Sequence, residues 1–159
     1  MNAQLETMPW ADAVDRRGYA AVGLYAPKDK ANVGGVLRAA KVFGAKLIAI
    51  QAPRVQAHGA NTTASHLHIP TVVTDDLMSV RPWQSRLVVV EVDPSAELLD
   101  QFEHPESAFY VFGPEDGSVP KSISERAQHR VVIRGWHCVN LAVAVNLVLH
   151  DRVCKRGLG

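Results

Sequence analysis

Residues 32–38 read Asn32-Val33-Gly34-Gly35-Val36-Leu37-Arg38, and the reading of the fold turns on them. Just before them, Tyr19 to Tyr25 (YAAVGLY) has the composition of a strand, which Ala26-Pro27-Lys28-Asp29-Lys30 ends. Asn32 reads as a helix N-cap, because its side chain can accept a bond from an unpaired N–H of the first turn. Val36, Leu37, Ala40 and Phe43 then give the helix an apolar face at i, i+1, i+4 and i+7. Gly44 is placed to stop it. Strand, glycine-bearing joint and helix form the opening unit of an α/β sheet.

Working outward, Lys46 to Gln51 (KLIAIQ) is a second strand and Thr71 to Thr74 a short third. Residues 52–68 between them are irregular and hold His66 and His68. Asp75-Asp76 is an acidic helix start. Leu87 to Val92 (LVVVEV) is almost wholly apolar, as a strand covered on both faces should be. Ser95 to Phe102 is expected to form a helical crossover, and Phe109 to Phe112 a buried strand ending at Gly113-Pro114-Glu115. Ser122 to Gln128 reads as a short helix and Arg130 to Ile133 as a last strand. A loop with Gly135, Trp136 and His137 then leads into a final helix from about Val139 to Cys154. This alternation predicts an α/β fold, a mainly parallel sheet with helices on both faces. It forms one domain over residues 19–159, preceded by an arm or short helix over residues 1–18. The final helix has little polar face, and a second subunit is the simplest cover for its outer side.

The 159 residues suffice for one domain with a core, and 47% apolar with 21% charged residues is an ordinary globular balance. The formal net charge of +1 announces no global nucleic-acid field, although a local basic patch is enough for one. Cys138 and Cys154 are the two cysteines, too few for a disulfide framework or a Cys-x-x-Cys zinc site. No apolar run approaches the roughly 20 residues of a membrane span, and the N-terminus has no secretory h-region. The expected compartment is the cytoplasm, with no membrane partner.

The chain has no Gly-x-Gly-x-x-Gly and no Gly-Lys-Ser/Thr, so an ordinary dinucleotide or P-loop site is unsupported. At the joint stand Asn32, Gly34 and Arg38. Arg38 lies one turn past Gly34, where its fork can reach back over the helix start and join backbone N–H groups around a phosphate. His66 and His68 have no Cys or acidic ligand at usable spacing, so no metal is expected. Cys138 has no base at fixed spacing for covalent catalysis. Taken singly, Asn32 is a plain cap, Arg38 a surface arginine, Glu115 a turn residue, and Asn140 and Asn146 satisfied polar groups in a helix.

Three ordered motifs change that weighing: Asn32/Gly34/Arg38, then Gly113/Glu115 after a late strand, then Cys138/Asn140/Leu141 opening the final apolar helix. From about Tyr19 to Arg152 the chain resembles SpoU/TrmH-type RNA ribose methyltransferases of the SPOUT superfamily. The resemblance implies a C-terminal deep trefoil knot, S-adenosylmethionine as cofactor and a homodimer through the C-terminal helix. It implies that Arg38 acts at a ribose 2′-hydroxyl of RNA, while Asn32, Glu115 and Asn140 hold Arg38 and the RNA phosphate. The cofactor would lie against Val90, Glu91, Gly113, Ile133, Cys138 and Leu141, largely through backbone groups. The implied RNA is tRNA, in its anticodon loop; the candidate contacts to it in this sequence are Arg16, Arg17, Lys28, Lys30, Arg54, His66, His68, Arg126, Arg130, Arg134 and His137, with Trp136 able to stack on an unpaired base. The pattern departs from the family at Ser118, where a glycine is usual, at Arg134 for a proline, and at Cys138 for a serine. Two rivals stand beside this reading: a non-catalytic RNA- or cofactor-binding protein on the same fold, and a SPOUT base methyltransferase.

Overall fold

Among the described residues, the apolar runs assemble into seven strands in one sheet, every pairing parallel. The computed structural model describes residues 17–55 and 69–157. In chain order these form β1 (Tyr19–Tyr25), α1 (Lys30–Val42), β2 (Leu47–Gln51), β3 (Thr71–Thr74) and β4 (Arg86–Val90). They continue with β5 (Glu97–Leu98), β6 (Ser107–Phe112), α2 (Lys121–Ser124), β7 (His129–Val132) and α3 (Leu141–Arg156). The order across the sheet is β3-β2-β1-β6-β4-β7-β5. The chain therefore grows one way from β1 to β2 and β3, and the other way through β6, β4 and β7. In an open parallel sheet such a change of direction leaves a crevice at the carboxyl ends of the strands, here between β1 and β6.

Side chains alternate between two cores with the period of two that a strand imposes. Ala20, Val22 and Leu24 of β1, Val88 and Val90 of β4, and Ala108, Tyr110 and Phe112 of β6 face α1 and α3. Val33, Val36 and Leu37 of α1 and Val145, Val148 and Leu149 of α3 fill that layer. The opposite residues, Ala21, Leu87, Val89, Phe109 and Val111, are covered by Leu77, Val119 and Ile123 of α2. Both long helices thus share one face. Among the described residues, the other face carries α2 and the turns around residues 75–80. Gly35 lets α1 and α3 come close, since a Cβ there would stand 2.7 Å from Ala142 Cβ.

Three local expectations are corrected. The cap of α1 is Asp29, whose Oδ1 accepts from the N–H groups of Ala31 (2.7 Å) and Asn32 (3.1 Å), so Asn32 lies inside the first turn. Ser95–Phe102 is not a helix. Asp93 accepts from both the N–H and the hydroxyl of Ser95 at 2.8 Å, a local bond that competes with helix formation, and Glu97–Leu98 pairs with β7 instead. Asp75-Asp76 opens only turns. Asp76 does accept the Met78 N–H at 2.9 Å, but Pro82 follows too soon for a nucleated turn to propagate. The expectations for Arg16, His66, His68 and most of the N-terminal arm lie outside the described residues.

A buried polar network ties α3 to the segment before β6. Arg152 donates to the carbonyls of Pro105 (2.6 Å), Glu106 (2.6 Å) and Tyr19 (3.2 Å) and to the Tyr110 hydroxyl (3.3 Å). That hydroxyl lies 2.6 Å from His104 Nδ1, and His104 Nε2 lies 2.8 Å from Asp151. Every contact is satisfied if Tyr110 donates to Nδ1 and a neutral His104 donates through Nε2 to Asp151. Burial pushes the His104 pKa from 6.5 to about 4, against the pull of Asp151, and burial pushes Tyr110 up to about 12. The sign of the pH effect follows. His104 stays neutral in the fold while the unfolded chain takes a proton below its ordinary value. This contribution, about 3 kcal/mol, is whole above pH 6.5 and is lost as the pH falls toward 4. Urea midpoints measured from pH 7 down to 5 should fall in the native protein. In His104→Gln they should be flatter over that interval, and parallel slopes would refute the assignment.

Candidate active site

The three motifs meet in one hydrogen-bonded chain at the crevice between β1 and β6. Asn32 is its middle link, and Glu115, three residues past β6, is one end. Asn32 Nδ2 donates to Glu115 Oε1 at 2.8 Å, and the N–H groups of Lys28 and Asp29 donate to Oε2 and Oε1 at 3.0 and 3.2 Å. Asn140 Nδ2 donates to Asn32 Oδ1 at 2.7 Å. The Asn140 side chain also caps α3, accepting from the N–H groups of Ala142 (2.9 Å) and Val143 (3.3 Å). Residues 83 and 108 positions apart thus fix the starts of α1 and α3 against the loop after β6. Partial burial alone would raise the Glu115 pKa, but the bonds from Asn32, Lys28 and Asp29 outweigh it and hold the carboxyl below its ordinary value. Glu115 is therefore a carboxylate at neutral pH with its acceptor positions largely taken, which suits an orienting role better than proton transfer.

Arg38 stands on α1, exposed to solvent. It lies six residues beyond Asn32, about 9 Å along the axis. Gly35, midway, meets α3, so Asn32 and Arg38 flank the α1–α3 contact on either side. Helical side chains lean toward the N-terminus, which directs Arg38 back toward the network.

A second set of bonds braces this corner. Arg54 donates to both oxygens of Asp116, at 3.0 and 2.7 Å, and twice to the Ala26 carbonyl, at 3.1 and 2.9 Å. Ala26 has φ 48°, a left-handed turn unusual for alanine, and Arg54 holds it there. Lys28 lies 3.3 Å from Asp116. The Arg54 guanidinium holds the Asp116 carboxyl well below the usual carboxylate range. Sequence reading missed this brace. It treated Arg54 and Lys28 as RNA contacts, and nothing in the spacing of residues 54 and 116 signals a pair.

Beside the network lies a cleft of about 150 Å³, open to solvent. It follows the carboxyl ends of β4, β6 and β7. All six residues expected at the cofactor line it: Val90, Glu91, Gly113, Ile133, Cys138 and Leu141. So do Phe112, Glu115 and His137. Gly113 is required there, because a Cβ would stand 2.9 Å from the Val119 nitrogen. The loop turns at Gly117, whose N–H donates to Pro114 O at 3.3 Å, and Ser118 is exposed, so the missing glycine leaves the turn intact. Trp136, 99% exposed, stands next to His137 on the loop after β7. Arg134 pairs with Asp100 at 3.1 Å on the surface, and Arg17 is exposed. Among the described residues, no group of three or more His, Cys, Asp or Glu side chains is placed to hold a metal ion. No helix among them is long and apolar enough to cross a membrane.

This geometry can be set beside known proteins. No curated protein sequence matches the chain. Among solved structures, the SpoU methyltransferase AviRb from Streptomyces viridochromogenes superposes with a TM-score of 0.76 at 18% identity, over 91% of this chain and 63% of its own. The A. aeolicus TrmH/SpoU tRNA modifying enzyme does so with 0.78 at 17% identity, over 91% and 78%. A structure reported for the 2-OH methylation of C/U34 on tRNA gives 0.73 at 19% identity, over 98% of both chains. At these identities the likeness is one of fold, and the chain spans under two thirds of AviRb. The sequence itself supplies the stronger match, since the SpoU rRNA methylase family model aligns with residues 19–150. With the whole sheet, the bonded triad and the cleft inside those bounds, the chain belongs to the SpoU rRNA methylase family.

Proposed function

We propose that this protein transfers a methyl group from S-adenosylmethionine to a ribose 2′-hydroxyl of RNA, with the tRNA anticodon loop as substrate. The observation that carries the reading is the bonded Glu115–Asn32–Asn140 chain at the edge of a cleft lined by the six expected cofactor residues. AviRb has a structure in complex with the cofactor AdoMet, which supports the same cofactor here. The neighbour concerned with 2-OH methylation of tRNA matches this chain end to end, which supports the RNA and the oxygen.

The residues present fit the cofactor. Val90, Phe112, Ile133 and Leu141 offer apolar walls for a purine, and the missing Cβ of Gly113 opens the loop. When bound, S-adenosylmethionine supplies an electrophilic methyl group. The chain's own task is to place the ribose oxygen in line with it, where positioning alone is worth several kcal/mol. Asn32, Glu115 and Asn140 form a preorganised frame that holds Arg38 and the adjoining phosphate. A guanidinium is not deprotonated in proteins, so Arg38 serves as a cation that stabilises the developing alkoxide while the proton passes to water. Arg134, Lys28, His137, Arg17 and Arg16 contact the RNA backbone. The ion pairs of Arg134 and Lys28 are exposed and weak, and a phosphate can compete for them. Trp136 is available for stacking.

The remaining features of the reading have their own support. Val143 and Leu147 stay exposed on the outer face of α3, an apolar stripe that a second copy would cover in a homodimer. The placing of β6 between β1 and β4, and of β7 between β4 and β5, inserts late segments between earlier ones, as a C-terminal trefoil knot would require. Residues 19–159 act as one catalytic domain.

The test uses purified protein, labelled S-adenosylmethionine and unmodified total tRNA beside ribosomal RNA, with products digested to nucleosides. A 2′-O-methylated nucleoside from tRNA is the expected product. A methylated base would favour the base-methyltransferase alternative, and cofactor binding without transfer to any RNA would favour a binding protein.

A further inference from the structure

Glu91 follows directly on β4 and lines the cleft. Its backbone is anchored, with its N–H donating to Val131 O at 3.1 Å. The backbone N–H of Val119, on the loop that passes behind Gly113, acts to lower the pKa of the Glu91 carboxyl. Burial raises its pKa, while Arg130 works in the other direction. That guanidinium is committed elsewhere, to Asp93 at 3.4 Å and Ser124 O at 3.1 Å. The other carboxylate in the wall, Glu115, is occupied by Asn32 and two backbone N–H groups. A carboxylate accepts about four hydrogen bonds. Among the described residues, no side chain pairs with the Glu91 carboxylate, which leaves it acceptor capacity beside the cleft.

Position argues for the donor. In strand order β6 separates β4 from β1, so Glu91 lies about two strand spacings, roughly 10 Å, from the Asn32 side of the crevice. Its ligand group is therefore remote from the transferred methyl. A carboxylate at the carboxyl end of a parallel strand, beside a nucleoside cleft, is chemically suited to vicinal hydroxyls, as in dinucleotide-binding sheets. Its two oxygens match two neighbouring O–H donors.

We propose that the Glu91 side chain receives the ribose hydroxyls of the cofactor and so sets the protein's selectivity for an intact ribose. The inference rests on the proposed use of S-adenosylmethionine and assigns a side-chain contact where the family resemblance implies mainly backbone ones. Glu91 is a specificity residue, with no part in the reacting centre.

The experiment is isothermal titration of the wild-type protein, Glu91→Gln and Glu91→Ala with three probes. These are S-adenosylhomocysteine, 5′-methylthioadenosine (which keeps the ribose but lacks the amino acid) and 2′,3′-dideoxy-5′-methylthioadenosine. Glu91→Ala should weaken the first two by the same factor, roughly ten- to a hundredfold, with Glu91→Gln between. The dideoxy probe should bind the wild type weakly and be indifferent to either substitution. Loss of affinity for S-adenosylhomocysteine alone would assign Glu91 to the ammonium group and overturn the proposal. Unchanged affinities for all probes would overturn it as well. Both results differ from failure of the wild-type protein to bind S-adenosylhomocysteine at all, which would remove the proposed cofactor itself.

Discussion

Arg38→Ala is expected to lower methyl transfer to RNA by about a hundredfold or more at saturating RNA and cofactor, the scale of losing one preorganised charge-stabilising group. Arg38 does not line the cleft, so affinity for S-adenosylhomocysteine should be unchanged. A fall in kcat with cofactor affinity preserved is the signature of an interaction made chiefly in the transition state. Arg38→Lys separates two versions of the role. A lysine keeps the charge but loses the planar fork, so activity should stay well below wild type if the guanidinium spans ribose oxygen and phosphate together. Near-full activity in Arg38→Lys would mean that a point charge is sufficient. Near-full activity in Arg38→Ala would place the chemistry elsewhere and remove the basis for reading the Glu115–Asn32–Asn140 chain as its frame.

Arg152→Leu is expected to cost about 3 kcal/mol or more of folding stability, visible as a lower urea midpoint with an unchanged slope. Arg152 is buried at 6% exposure, and its guanidinium serves three carbonyls and the Tyr110 hydroxyl. Leucine fills part of the volume but leaves those acceptors short of donors in a low-dielectric setting. The bonds from Arg152 join α3 to β1 and to the segment before β6, so the loss should also loosen the docking of the helix whose cap, Asn140, belongs to the candidate site. Arg152→Lys should recover only part of the stability, because an ammonium on a flexible stem cannot span the fork's partners. A midpoint unchanged in Arg152→Leu would show that water replaces the guanidinium at little cost.

The departures from expectation share one physical origin. The sequence reading of Ser95–Phe102 as a helix counted propensity and ignored Asp93, whose side chain ties Ser95 into a turn. The reading of Asn32 as a cap was chemically sound, yet Asp29 has the same capping chemistry and comes first. Releasing Asn32 from that duty is what leaves its amide for Glu115 and Asn140. The brace of Arg54 on Asp116 and the Arg152 network were invisible for a different reason. Each joins positions tens of residues apart, and a lone arginine in a sequence carries no sign of its partner.

By itself the sequence determined the identity and order of most strands and the two long helices, and its resemblance to a known family named six of the residues that line the cleft. Those follow from local patterns: runs of Val, Ile and Leu bounded by Gly and Pro, a 3.6-residue apolar period, and motifs whose spacing survives in one dimension. Only the tertiary structure decided that β1 and β6 lie side by side, which brings Asn32 and Glu115 to 2.8 Å. It alone decided that the cap of α3 closes on α1 through Asn140, that Arg54 braces a left-handed Ala26, and that Glu91 lines the cleft. These are long-range pairings, set by which strand inserts beside which. Their energies depend on burial and on partners that no local window contains.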